Sequence, residues 1–176
     1  MRLLGPLALL VVAACTSSSI NTAPSIVQRF YATTIAQKVT GAPTSEQLAA
    51  LSPYLSDTLR TLLDAARRQS EAEAARAPDE KPSFADGDLF SSLFEGPNAV
   101  DVIADSARGD LRVATVQMTS TSANPPVTWT DRVVLRSHDG RLVIDDVEYG
   151  GTWDFANKGT LRASLASALT ARTGSR

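Results

Sequence analysis

Residues 127–149, VTWTDRVVLRSHDGRLVIDDVEY, constrain the fold more than any other stretch, because two runs of alternating side chains meet at His138-Asp139-Gly140. Asp-Gly between such runs signals a tight antiparallel hairpin, since both residues tolerate the positive φ that a two-residue turn demands. In the first run Val127, Trp129, Asp131, Val133 and Leu135 share one face, whereas Thr128, Thr130, Arg132, Val134 and Arg136 share the other. In the second run Leu142 and Ile144 alternate with Arg141, Val143 and Asp145. Alternation at period two makes one face mostly apolar and the other mostly polar, so the hairpin is half buried and needs a cover.

The upstream segments suit that role. Pro24 and a Ser25/Gln28 capping pair introduce residues 25–39, where Val27, Phe30, Tyr31, Thr34 and Lys38 recur at helical spacing and Ile26, Ile35 and Val39 widen the stripe. Gly41-Ala42-Pro43 ends this helix. Thr44 with Gln47 opens a short second helix carrying Leu48 and Leu51, which Ser52-Pro53 closes. Ser56 caps a third, with Leu59, Leu62, Leu63 and Ala66 inward and Arg60, Asp64, Arg68 and the Arg67/Glu71 pair outward. Beyond Ser70 the apolar period fades into EAEAARAPDEKPS, which reads as solvated helix fraying into loop at Pro78.

Residues 84–94, FADGDLFSSLF, form the densest aromatic block. Asp86 and Asp88 are oxygen donors of the type calcium takes, but Glu95 does not complete the spacing of a calcium loop. The expected roles are turn capping by the aspartates and burial of Phe84, Phe90 and Phe94 at an open end of the core. Further strands are expected over 99–104 and 111–119 with a turn over 106–110, and the prolines of 120–126 mark a loop outside the sheet. After the hairpin, Gly150-Gly151 leads to Trp153 and Phe155 in an exposed loop, then to a last helix over 160–171 with Leu161, Leu165 and Leu169 on one face. The sum is an α+β fold: N-terminal helices packed on a curved four-stranded antiparallel sheet, with a C-terminal helix.

A length of 176 residues suits one domain. The net charge of -2, with 17 basic residues scattered among 19 acidic ones, offers no phosphate-binding footprint and argues against nucleic acid as a partner. The single cysteine, Cys15, excludes an internal disulfide and a thiolate metal cluster. Met1-Arg2 and the apolar run 3–12 form an export signal too short to span a bilayer. That run ends in Val12-Ala13-Ala14-Cys15, which resembles the lipobox of bacterial lipoprotein signal peptides. The resemblance implies a diacylglyceryl thioether on Cys15, cleavage after Ala14 and acylation, such as by palmitate, of the new amino terminus. The chain then divides into a signal peptide over 1–14, a polar tether over 15–23 and one α+β domain over 24–172. Thr16 in place of Asp after the cysteine resembles the default for outer-membrane sorting, facing the periplasm, where the source has two membranes.

FYATTIAQKV, FADGDLF, DRVVLRSHDGRLVIDDVEYGGTWDF and TLRASLASAL, spread over residues 25–170, resemble a group of bacterial envelope proteins known as a domain of unknown function. That group is similar to the cone-shaped fold of nuclear transport factor 2 and ketosteroid isomerase. The resemblance implies a pocket between helices and sheet, for which Phe30, Tyr31, Trp129, Asp131 and Leu135 are the candidate lining. The family pattern carries no catalytic residues to transfer. Paired carboxylates perform acid/base work when one is buried, which makes Tyr31, Asp131, Asp145, Asp146 and His138 the polar groups to weigh. His138 lies beside a turn, and the adjacent Asp145 and Asp146 are expected on opposite faces of a strand. Asp131, the acid on the apolar side, is expected to cap backbone or pair with an arginine.

The chain contains no Ser-His-Asp set, metal-ligand cluster or phosphate loop motif. The expected function is therefore non-catalytic: a lipid-anchored envelope protein, monomeric or weakly associating, that binds a protein partner or an apolar ligand with no cofactor and no metal. The alternatives are an enzyme using an acid in a cone-shaped pocket and an envelope immunity protein that blocks a delivered toxin through surface complementarity.

Overall fold

In the computed structural model, residues 21–122 and 124–171 are described; the signal run 1–14 and Cys15 lie outside them. The hairpin consists of β3 (Val127–His138) and β4 (Arg141–Glu148), joined by Asp139 and Gly140 at φ 48° and 74°. Both central residues adopt the left-handed region that a two-residue turn requires. With β1 (Ala99–Arg108) and β2 (Leu111–Ser120) it forms one antiparallel sheet in the order β1-β2-β3-β4. The first hairpin is tighter than expected: β1 continues to Arg108, leaving only Gly109-Asp110 as a turn.

Along β3, Trp129, Asp131, Val133 and Leu135 are buried while Thr128, Thr130, Arg132 and Arg136 are exposed, as the alternation demands. Met118, Val116 and Ala114 of β2 pair with the first three of these. Helix α1 (Ala23–Ala36) packs against β1, β2 and β4, placing Ile26, Val27, Phe30 and Tyr31 on the sheet's apolar face. Its cap is Thr22, three residues before the expected Ser25, and Gln28 reaches the carbonyl of Val100 at 3.0 Å instead of closing a capping box. The Thr44/Gln47 capping box of α2 (Ser45–Leu51) forms as expected, and a 3-10 turn over Ser52–Tyr54 follows.

Helix α3 (Asp57–Arg76), capped by Ser56, runs six residues past the point where the apolar period fades. Its end is not solvated throughout. Glu73 is buried and accepts the Ser83 N–H at 2.7 Å, so this acid staples the following loop back onto the helix. Helix α4 (Leu161–Ala171) packs on α3 and β4 through Leu161 and Leu165.

Two bulges bend the sheet, at Ile103 in β1 and at Asp145 in β4. The second overturns one expectation. Val134 pairs with Asp146 and Leu135 with Ile144, leaving Asp145 as the extra residue. Ile144 and Val147 consequently both reach the core, although three positions apart. Asp145 and Asp146 do not diverge: both meet Arg162, whose guanidinium donates to Asp145 and whose backbone N–H donates to Asp146 at 2.9 Å. Arg136 Nε also lies 3.2 Å from Asp145, close enough for an ion pair though outside hydrogen-bond geometry.

Candidate functional site

At the open end of the β3–β4 hairpin a buried carboxylate ties three segments together. Asp131 is 0% exposed and accepts from the Ser92 N–H (2.7 Å), the Ser92 hydroxyl, the Trp129 indole N–H (3.1 Å) and the Gly150 N–H (2.8 Å). Because a buried anion is tolerated only when its lone pairs are matched, these four donors are what permits an acid on the apolar face. They join β3 to residues 84–96 on one side and to residues 150–158 on the other. Ser92 passes the connection on, accepting the Gly151 N–H at 2.9 Å, and Asn157 donates to the carbonyls of Asp88 and Ser91 at 3.1 and 2.8 Å.

Gly150-Gly151 is the sequence device that lets the loops close. A Cβ on Gly150 would collide with the Thr130 carbonyl oxygen, and one on Gly151 would lie 2.7 Å from the Ser92 Cβ. Gly150→Ala is therefore expected to force the Asp131 contacts apart and cost on the order of 1–3 kcal/mol, read as a lowered thermal midpoint. An unchanged midpoint would show that the close approach relaxes without strain.

The five candidate pocket residues are all buried, and they fall into two groups. Phe30, Tyr31 and Phe90 stack edge-to-face at 5.1 Å, with the Tyr31 hydroxyl donating to the Phe90 carbonyl at 2.8 Å. Trp129 and Asp131 are bonded to each other, while Leu135 lies nearer the hairpin tip opposite Ile144. Two surface grooves among the described residues, of about 420 and 360 Å³, lie elsewhere, and none of the five lines either. His138 sits exposed at the turn.

Burial, reinforced by the charges of Asp131 and Asp88, pushes the Tyr31 phenol well above its ordinary range. Tyr149 is pushed up chiefly by burial too, and its hydroxyl donates to the Leu89 carbonyl at 2.6 Å. Both tyrosines stay neutral and act as donors. Asp88 differs. Removal from water pushes its carboxyl up to about 7 despite an opposing bond from the Phe90 N–H, and Asp131's charge adds to the rise. Sequence reasoning weighed Asp88 as a metal-type oxygen donor and preferred it as a turn former, and missed Ser92 and Asn157; the signals were Gly-Gly after the hairpin and a small polar pair inside an aromatic block.

The tied loops carry aromatic side chains outward. Phe155 is 74% exposed and Phe94 is 49% exposed. Trp153 is partly buried, edge-on to Trp129 at 6.1 Å, and itself lies 6.1 Å from Phe155. Of the three phenylalanines expected to plug the core, only Phe90 is fully buried. Phe94 instead lies over Gly87, where a Cβ would strike its ring.

No protein-family model matches the chain. It is 30% identical over 142 residues to the uncharacterized lipoprotein YbjP of Escherichia coli strain K12, a match covering 80% of this chain and 74% of that protein. Among solved structures it is similar to a protein of unknown function from Bacteroides thetaiotaomicron (TM-score 0.36, 16% identity, 70% of this chain and 86% of that one). It is also similar to a SEC-C motif containing protein from Rhodopseudomonas palustris (TM-score 0.32, 13% identity, 67% of this chain and 88% of that one).

Proposed function

The chain belongs to the family of the lipoprotein YbjP, and from that premise we propose that it is held at the bacterial cell envelope by lipid on Cys15 and acts there by recognition without chemistry, presenting its aromatic rim to a protein partner. In this reading residues 1–14 are removed as a signal peptide and residues 24–172 form one recognition domain. Thr16 directs it to the outer membrane of a two-membrane source. A helix α1 packed across a sheet bent by two bulges supports the resemblance to the cone of nuclear transport factor 2.

The observation that carries the reading is the use of Asp131. Its oxygens are taken up by four donors that hold two loops in place, and those loops expose Phe155 and Phe94. Exposed aromatics on pre-organised loops match the anchors of protein interfaces, where ordering costs are low and desolvation is large. An apolar ligand is less well supported, because the side chains expected to line its pocket are all buried in the packed interior and none of them borders either groove.

A photoreactive phenylalanine analogue at position 155 of the full lipidated chain is expected to give a discrete crosslinked species in intact envelopes, weakened severalfold by Trp153→Ala. Absence of any adduct would sink the rim as an interface. Cys15→Ser is expected to abolish incorporation of an acyl label; unchanged labelling removes the anchor.

A further inference from the structure

The chain enters the fold through a clamp on the hairpin tip. Asn21 donates from Nδ2 to the Gly140 carbonyl at 3.1 Å and accepts the Leu142 N–H at Oδ1 at 3.0 Å, bridging the far side of the β3–β4 turn. The cap residue Thr22 and helix α1 follow at once, so the point of entry is fixed between the tip, through Asn21, and the start of α1. Cys15 precedes Asn21 by six residues. A chain gains at most about 3.3–3.6 Å per residue when fully extended, so this tether spans no more than roughly 20 Å.

We infer that the hairpin tip, with Pro53, Asp57 and Arg60 beside it, is the face that lies against the lipid headgroups of the membrane carrying the protein. The inference rests on the lipid anchor of the proposed function and adds an orientation to it. The tip face holds the groove of about 360 Å³, which Pro53, Asp57, Arg60, His138, Asp139 and Arg141 help to line. Its charges balance, with Arg60 paired to Asp57 at 2.8 Å and Arg141 next to the Asp139-Gly140 turn. Net attraction to anionic lipid is therefore weak, and the short clamped tether rather than charge sets the orientation. The aromatic rim sits at the other end of the same hairpin. From His138 back to Trp129, a strand rising about 3.3 Å per residue covers about 30 Å. The rim thus points away from the bilayer.

Cys15 is the only cysteine and is occupied by lipid in this reading, so a second one can carry a dye uniquely. Ser137→Cys at the tip and Thr152→Cys beside the rim are both exposed positions. Each lipidated, donor-labelled protein is placed in vesicles of phosphatidylethanolamine and phosphatidylglycerol bearing an acceptor dye on the headgroups. Energy transfer is expected to be severalfold more efficient from position 137 than from 152, unchanged by raised salt, and Asn21→Ala is expected to narrow the difference. Equal or reversed efficiencies overturn the orientation, and an unchanged difference in Asn21→Ala overturns the clamp as its cause. Vesicle retention of Cys15→Ser separates the two readings: retention that persists takes down the anchor and the orientation together, whereas retention lost with equal efficiencies takes down the orientation alone.

Discussion

Asp131→Ala is expected to be among the most destabilising single substitutions in the chain. It leaves the Ser92 N–H, the Trp129 indole and the Gly150 N–H without their shared acceptor in a region closed to water. Each buried donor left without an acceptor costs about 1–3 kcal/mol, so losing the acceptor of three costs about 3 kcal/mol or more, a large share of the roughly 5–15 kcal/mol that holds a domain folded. For a domain of this size that corresponds to a thermal midpoint lowered by about 10 °C. Asp131→Asn keeps one carbonyl acceptor and the shape, and should recover part of the loss. Circular dichroism melts of both variants test this; a midpoint for Asp131→Ala close to the parent would mean that the four bonds contribute nothing net. The same variants test the rim, since its loops are held by these bonds.

The second large effect is a dependence of stability on pH that runs opposite to ordinary acid denaturation. Asp88 has a carboxyl at about 7 in the folded protein against 3.8 for an unperturbed aspartate. Between those values the folded state holds a proton that the unfolded state has released. Stability from this group is therefore full below about 3.8, falls as pH rises, and levels off above about 7. A tenfold difference in proton affinity between the two states corresponds to about 1.4 kcal/mol, and since the side chain retains some exposure, the whole loss is on the order of 2–4 kcal/mol. Two other acids act lower down. The Arg67 hydrogen bond holds the Asp64 carboxyl below its ordinary range; burial pulls Glu148 up, but hydrogen bonds from Arg132 and Arg108 outweigh it and hold Glu148 low. Their stabilisation is present above the ordinary carboxylate range and lost below it, which leaves the window between about pH 5 and 8 to Asp88.

The thermal midpoint is accordingly expected to be several degrees higher at pH 5 than at pH 8. Asp88→Asn keeps an acceptor for the Phe90 N–H and should flatten that slope while raising the midpoint at pH 8. An Asp88→Asn protein with the parent's slope would show that another group is responsible. Asp88 also lies where the rim loops meet, its carbonyl held by Asn157 and its own N–H bonded to the Phe94 carbonyl at 2.7 Å. Loosening at higher pH should therefore begin in residues 84–96, visible as faster amide exchange there.

Much of the fold was legible because it rests on local rules. The Asp139-Gly140 turn, the Thr44/Gln47 capping box, the Ser56 cap and the alternation of β3 each depend on a few neighbouring residues, and each stands where the residues put it. The errors arose where a distant partner outweighs the local signal. Ser25 has the chemistry of a cap, yet Thr22 takes the role because the Asn21 clamp on the hairpin tip starts the helix earlier. EAEAARAPDEKPS has the composition of a solvated run, but Glu73 is drawn inside by the Ser83 N–H ten residues on. Asp145 and Asp146 follow the alternation of an ideal strand on paper; a one-residue bulge set by the pairing of β3 with β4 turns both toward Arg162.

The candidate site divides along the same line. That Asp131 stands among apolar neighbours is plain from period two alone, and so is the expectation that its oxygens cap backbone. Its partners come from Ser92 and Gly150, separated from it by 39 and 19 positions, and no periodicity links such distances. Sequence alone determined the class of the fold and the hairpin at its centre, because those depend on side-chain alternation and turn stereochemistry, and it carries the resemblance of Val12-Ala13-Ala14-Cys15 to a lipobox. Only the tertiary structure decided that the candidate pocket residues are all buried, in two groups, that Asp131 fastens the rim loops, and that the chain enters the fold at the hairpin tip. Each of those depends on which buried polar groups find partners, and a buried donor or acceptor is satisfied by whatever the folded chain brings within hydrogen-bond reach rather than by its neighbours in sequence.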